Sequence, residues 1–173
     1  MQKPLPLPTD PANVQLQKKA VWNGERSIEE ADFYTINYAG RTIGDLIETL
    51  QSAGVVTVVD IRHAPVSMYK PDFSKGNLQR HLAAHGLNYV HFPHLGIPRD
   101  IRSLAIGKEN RDDLWDWYDR YVVDPFVGRN LHHFFNSADH PVALMCVEID
   151  PTSCHRHRLG LALERQGLKG FDL

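Results

Sequence analysis

Cysteine is scarce in this chain: of 173 residues only Cys146 and Cys154 are cysteines, with seven residues between them. Two cysteines inside one short stretch exclude a secreted disulfide framework, and a reducing cytoplasm is the expected compartment. An excess of positive charge is also absent. Lys and Arg number 19 against 21 Asp and Glu, a net charge of −2. No global basic field draws the protein to nucleic acid, and only a local patch remains for such a role. No apolar run reaches the length of a membrane span, so no membrane partner is expected. The opening "MQKPLPLPTDPANVQLQKK" lacks the apolar core of a secretory signal. Internal repeats and an interdomain linker are missing too. What remains is a chain that is 42% hydrophobic and 23% charged, the profile of one globular domain with a sizeable core.

Residues 1–31 carry Pro4, Pro6, Pro8 and Pro11 and then polar residues. They read as an extended arm with a short helical turn near "SIEEA". Such an arm wraps its domain or makes an oligomer contact, and the sequence does not choose. Residues 32–173 read as a single domain in which strand and helix patterns alternate. "FYTIN" is β-rich. In "TIGDLIETLQSAG", Thr42 is a candidate N-cap, Ile43, Leu46, Ile47 and Leu50 share a helical face, and Gly54 closes it. "VVTVVDIR" is a continuous β-branched run, as a strand buried on both faces requires. A helix is predicted in "SKGNLQRHLAAHG", with Ser74 as N-cap, and a strand in "LNYVHFPHL". "GIPRDIRSLAIGKEN" is irregular. Two helices follow, "RDDLWDWYDRYVVD" and "PFVGRNLHHFFNSA". The strand "PVALMCVEI", the helix "CHRHRLGLALERQG" and a short strand in "LKGFDL" end the chain.

This order predicts a three-layer α/β fold, a mostly parallel sheet of four or five strands flanked by helices. Open parallel sheets bind ligands at the carboxyl ends of their strands. That rule gathers Tyr38, Asp60, Arg62, Cys146, Glu148 and Cys154 on one rim.

The densest chemistry lies in "CVEIDPTSCHRHR". Cys154 is placed at a helix start, where backbone N–H groups, His155 and Arg156 favour a thiolate. It is therefore a candidate nucleophile, and an ordinary small residue is the alternative. Strand alternation puts Cys146, Glu148 and Asp150 on one face. Glu148 reads either as a catalytic acid or base or as half of a structural ion pair. Asp60 and Arg62 also alternate onto one face. They read as a clamp, or as a catalytic carboxylate beside an anion-binding guanidinium. Arg62, Arg156, His155 and Tyr38 are the candidate substrate-binding residues, and Cys154, Glu148, Cys146 and Asp60 the candidate catalytic ones. Cys146, Cys154 and His155, with Glu148 or Asp150, also offer metal-ligand atoms. The spacing is not a standard zinc pattern, and adjacent residues on a helix point about 100° apart, so neither a metal nor another cofactor is expected. In "WDWYDRY", Leu114, Tyr118 and Tyr121 share a stripe that reads as core packing, with a base-stacking platform as the alternative. Lys70, Lys75, Arg80, Arg99 and Arg102 are candidates for a loose basic rim.

Three segments carry a resemblance: "VVDIRHAPVS", "PDFSKGNLQRHLAAHGLNYVHFPHLG" and "PVALMCVEIDPTSCHRHRLGLALERQG". Together they resemble the bacterial and archaeal family of unknown function DUF488. The family's Asp-x-Arg element falls on Asp60 and Arg62 and its Leu-Gly on Leu95 and Gly96. Its Cys-x-Glu falls on Cys146 and Glu148, and its Cys-His-Arg on Cys154, His155 and Arg156. The family's first strand usually reads Thr-Ile-Gly-His-Ser. Here Asn37, Tyr38 and Ala39 stand in the last three places, so any chemistry of that His is lost or falls to Tyr38. The resemblance implies a three-layer α/β fold and a polar pocket at the Cys-His-Arg turn, and it supplies no substrate. The residues themselves favour a thiol-dependent enzyme for a small anionic ligand, phosphorylated or nucleotide-like. The alternatives are a non-catalytic binding module for such a ligand or for nucleic acid, and a metal-binding protein using Cys146, Cys154 and His155.

Overall fold

The computed structural model describes residues 22–107 and 111–173. The prolines of the arm therefore lie outside the described residues. Five strands form one sheet: β1 (Phe33–Asn37), β2 (Thr57–Asp60), β3 (Asn88–His91), β4 (Val142–Cys146) and β5 (Gly170–Asp172). All pairings are parallel, in the order β3-β2-β4-β1-β5. The expected parallel α/β fold is what forms, with β4 at the centre.

The β-branched runs explain the layers. Every residue of β1, β2 and β4 is buried, because helices cover both faces. Val142, Leu144 and Cys146 enter one core, with Val59, Ile61, Leu159 and Leu163. Ala143 and Met145 enter the other, with Val58, Leu46, Leu50, Leu78 and Leu82. The second core is closed by α1 (Ile43–Ser52) and α2 (Lys75–Ala84). The first is closed by α6 (His155–Arg165) and the helical run that starts with α4 (Asp112–Tyr118). Fully burying Leu46, Leu50, Leu78 or Leu82 is worth about 1.5–3 kcal/mol each.

Thr42 caps α1 as the sequence indicates, accepting from the Asp45 amide at 3.1 Å while Asp45 accepts from the Thr42 amide at 2.9 Å. Ser74 does not cap α2 with its side chain. Its hydroxyl instead accepts from the Ser67 amide and pins the loop before the helix. β3 is shorter than predicted, because Pro93 starts a helical turn over Pro93–Leu95. The segment read as irregular holds the short helix α3 (Arg99–Ser103).

The two helices predicted before β4 are one interrupted run. α4 (Asp112–Tyr118) passes into wide π-helical turns over Asp119–Val123 and Phe126–Asn130 before α5 (Leu131–Ser137). The wide turn shifts the helical register. Leu114 and Tyr118 are buried as the stripe predicts, but Tyr121 turns outward and is 59% exposed.

Residues 22–31 lie against the domain. Asn23 exchanges hydrogen bonds with the Asp172 backbone, Arg26 pairs with Glu164, and the turn near "SIEEA" forms over Ile28–Glu30. Among the described residues no helix is long and apolar enough to cross a membrane.

Candidate functional site

The carboxyl ends of β1, β2 and β4 meet at one rim. The Ile61 amide donates to the Met145 carbonyl and the Tyr38 amide to the Cys146 carbonyl, so the chain leaving each strand stays in register with its neighbour. Gly96 closes the rim from the far side. A Cβ there would lie 2.1 Å from the His63 nitrogen, so only glycine lets the two backbones approach.

Arg62 is the most constrained residue of this rim. Its Nε donates to Asp60 Oδ1 at 2.8 Å and its Nη2 to Asp60 Oδ2 at 2.6 Å. Asp60 also accepts from the Arg62 amide at 3.1 Å and the Tyr89 hydroxyl at 2.7 Å. These four donors fill the carboxylate, which is fully buried. Asp60 thus orients the guanidinium and has no lone pair left for catalysis. Tyr38 supports it from another side: its ring, stacked on Phe73, lies 5.1 Å from the Arg62 guanidinium carbon. Burial opposes the charge of Arg62, but the Asp60 hydrogen bonds more than offset it and hold the pKa above the ordinary arginine value. Tyr38 adds to the support of that charge, yet Arg62 is 4% exposed and among the described residues its Nη1 has no hydrogen-bond partner.

Cys146, Cys154 and His155 form a second group, and all three are buried. Their ligand atoms lie within 4.8 Å of one another. The expected divergence of Cys154 and His155 does not occur. Cys154 is the extended N-cap of α6, outside the helix, and only His155 is helical. Both thiols are free. Cys146 Sγ lies 3.6 Å from His155 Nδ1 and 3.5 Å from Glu148 Oε2. His155 Nε2 lies 3.1 Å from the Ile61 carbonyl. A carbonyl only accepts, so Nε2 carries a proton.

Burial pushes the Cys146 thiol well up, and the neighbouring Cys154 adds to that. Burial opposes a Cys154 thiolate as well, but hydrogen bonds from Cys146 and His155, with the charge of Arg156, hold it well below the ordinary thiol value. Burial also raises Glu148. Cys154 is only 1% exposed, and an attacking sulfur needs access to its substrate. The geometry gives Cys154 an anion-stabilising setting without an opening.

Arg156 is no rim residue. Fully buried, it pairs with Asp172 through Nε at 3.1 Å and donates to the Glu148 and Ile149 carbonyls. This clamp joins α6 to β5 and to the turn after β4, so the expected substrate-binding role has no exposed face to act through. The predicted strand face of Cys146, Glu148 and Asp150 breaks as well. β4 ends at Cys146, and Asp150 caps the Pro151–Ser153 turn by accepting from the Thr152 amide.

Two adjoining cavities open on the rim. A cleft of about 490 Å³ is lined by Tyr38, Arg62, His63, Arg99, Arg102 and Val66, among others, and no described residue lining it is acidic. A smaller cavity of about 150 Å³ is lined by Glu148, His155, Ser153, Arg102 and Arg111. Arg102, Ile97 and Ile106 line both. The structure thus gathers Tyr38, Arg62, Glu148 and His155 around two neighbouring cavities, and Cys146, Cys154, Asp60 and Arg156 line neither. Arg111, Tyr89 and Asp172 escape the sequence reading. A surface-type arginine, a strand tyrosine and a penultimate aspartate carry no motif. Only their tertiary partners reveal them.

The family described as a domain of unknown function, DUF488, matches residues 42–163, and the chain belongs to it. Neither a curated protein nor a solved structure matches the chain.

Proposed function

We propose that this DUF488 member binds a small anionic molecule in the rim cleft, with Arg62 as the central recognition residue. The observation that carries this reading is the Arg62 Nη1 group, buried without a hydrogen-bond partner among the described residues in a side chain otherwise fixed by Asp60. Leaving a buried donor unmade costs about 1–3 kcal/mol, more beside a charge, so a site that keeps one is built for an acceptor. A guanidinium held rigid by one carboxylate presents its remaining N–H groups to a second oxyanion with little entropy lost. Arg99 and Arg102 add positive charge around the cleft. Exposed Val66 and Ile106 supply apolar wall. That combination suits a phosphate or carboxylate head on a partly apolar body. The sealed thiols favour binding without attack by Cys154 sulfur. A reducing cytoplasm suits a chain whose two cysteines stay free.

Thermal unfolding with inorganic phosphate, a nucleoside monophosphate and an aromatic carboxylate tests the reading against chloride at equal ionic strength. At about a hundred times Kd, stabilisation of about 2.7 kcal/mol raises Tm by about 5–10 °C. Arg62→Lys removes the response. Because that change also disturbs a buried ion pair, exposed Arg102→Gln provides a second variant, expected to weaken the response while leaving the unliganded Tm unchanged. No shift beyond the chloride control with any of the three anions would refute the reading.

A further inference from the structure

We propose that Cys146, Cys154 and His155 form a metal centre for a soft divalent ion of the zinc class. This goes beyond the anion-binding reading and stands without it. Two thiolates and one imidazole are the donor set such ions prefer. In a tetrahedral site with Zn–S about 2.3 Å and Zn–N about 2.0–2.1 Å, sulfur and nitrogen ligands lie about 3.6 Å apart and two sulfurs about 3.8 Å. Cys146 Sγ and His155 Nδ1 already stand 3.6 Å apart. No edge of the ligand triangle exceeds 4.8 Å, so at most about 1 Å of closure is needed.

The surroundings fit as well. Cys146 Sγ stands almost equally far from the two ring nitrogens of His155, 3.6 Å from Nδ1 and 3.7 Å from Nε2, and because the Ile61 carbonyl takes the proton on Nε2, Nδ1 is the one to ligate. A carbonyl on the remote nitrogen is the usual outer support of a ligating histidine. Two thiolates neutralise a dication, so the filled site places no net charge in the core formed by Cys146, Cys154, Leu144 and Leu159. Any proton the ligand atoms still hold leaves to solvent on binding. Three protein ligands leave a fourth position. Glu148, 3.5 Å from Cys146 Sγ, and His155 both line the 150 Å³ cavity, so that position faces the side of the cluster on which the cavity lies. A structural zinc site is closed by four protein ligands, whereas three with one open position is the pattern of a centre that binds water or substrate.

The test uses the full chain expressed in zinc-supplemented medium. Elemental analysis is expected to find about one zinc per chain, and exchange with cobalt(II) to give intense near-ultraviolet sulfur-to-metal bands with visible bands of tetrahedral type. Cys146→Ser and Cys154→Ser each lower cobalt affinity at least tenfold. If a serine variant fails to fold, the wild-type cobalt spectrum decides alone. Folded wild-type protein that takes up neither ion would overturn the proposal, as would folded variants that retain metal with no loss of the sulfur bands.

Discussion

Buried charge decides the behaviour of single residues at and behind this rim. Arg62 and Arg156 are both nearly sealed, but their partners differ. Arg156 spends its donors on Asp172 and two carbonyls, whereas Arg62 keeps one nitrogen without a hydrogen-bond partner among the described residues. The first is therefore architecture, and the second is the one we propose for recognition. Asp172→Asn should destabilise the fold by about 3–5 kcal/mol, because it strands the Arg156 charge in the interior, and urea unfolding monitored by far-ultraviolet circular dichroism measures it. The same change should leave anion affinity per folded molecule unaltered. At this scale the sequence shows the Asp60–Arg62 pair plainly, since alternate strand positions must share a face. The partners from distant strands, Tyr89 and Asp172, are invisible to local spacing. Arg156 misleads for the same reason: its neighbours in sequence suggest an anion site, and its partner in space is an aspartate at the end of β5.

Elements end where side chains can satisfy the backbone, and α1 shows this. Hydrogen bonds from the Thr42 backbone and hydroxyl hold the Asp45 carboxyl below its ordinary value. A depressed folded pKa means that the contribution is fully present above the unfolded value, about 3.9, and is lost as pH falls through the folded one. Asp45→Asn should therefore lower the urea midpoint at pH 6 relative to the wild type, and the gap should close as the pH falls below the ordinary aspartate range. Thr42 was legible because a cap is a local device. The π-helical turns after Tyr118 were not, since a widened turn answers to packing rather than to sequence period, and Tyr121 left its predicted stripe there. The N-cap placement of Cys154 was legible only in part. The helix start was expected, but the extended backbone that swings its sulfur toward His155 was not.

At the scale of the whole molecule, the strand order β3-β2-β4-β1-β5 sets what can meet. β4 is central and is followed by the turn that leads into α6. β2 lies beside it, so the chains leaving Asp60 and Cys146 run together and place Arg62 near the thiol cluster. The parallel class and the shared rim followed from alternating patterns and burial of β-branched runs. The strand order did not, because pairing partners leave no mark in a single chain. Anion binding as proposed rests on one atom of that rim, Arg62 Nη1. Crystals soaked in selenate and measured at the selenium edge test it most directly. An anomalous peak within hydrogen-bond distance of Arg62 Nη1, absent from Arg62→Lys crystals, is the predicted result. No peak in the cleft, with Nη1 bonded to a protein oxygen, would contradict it.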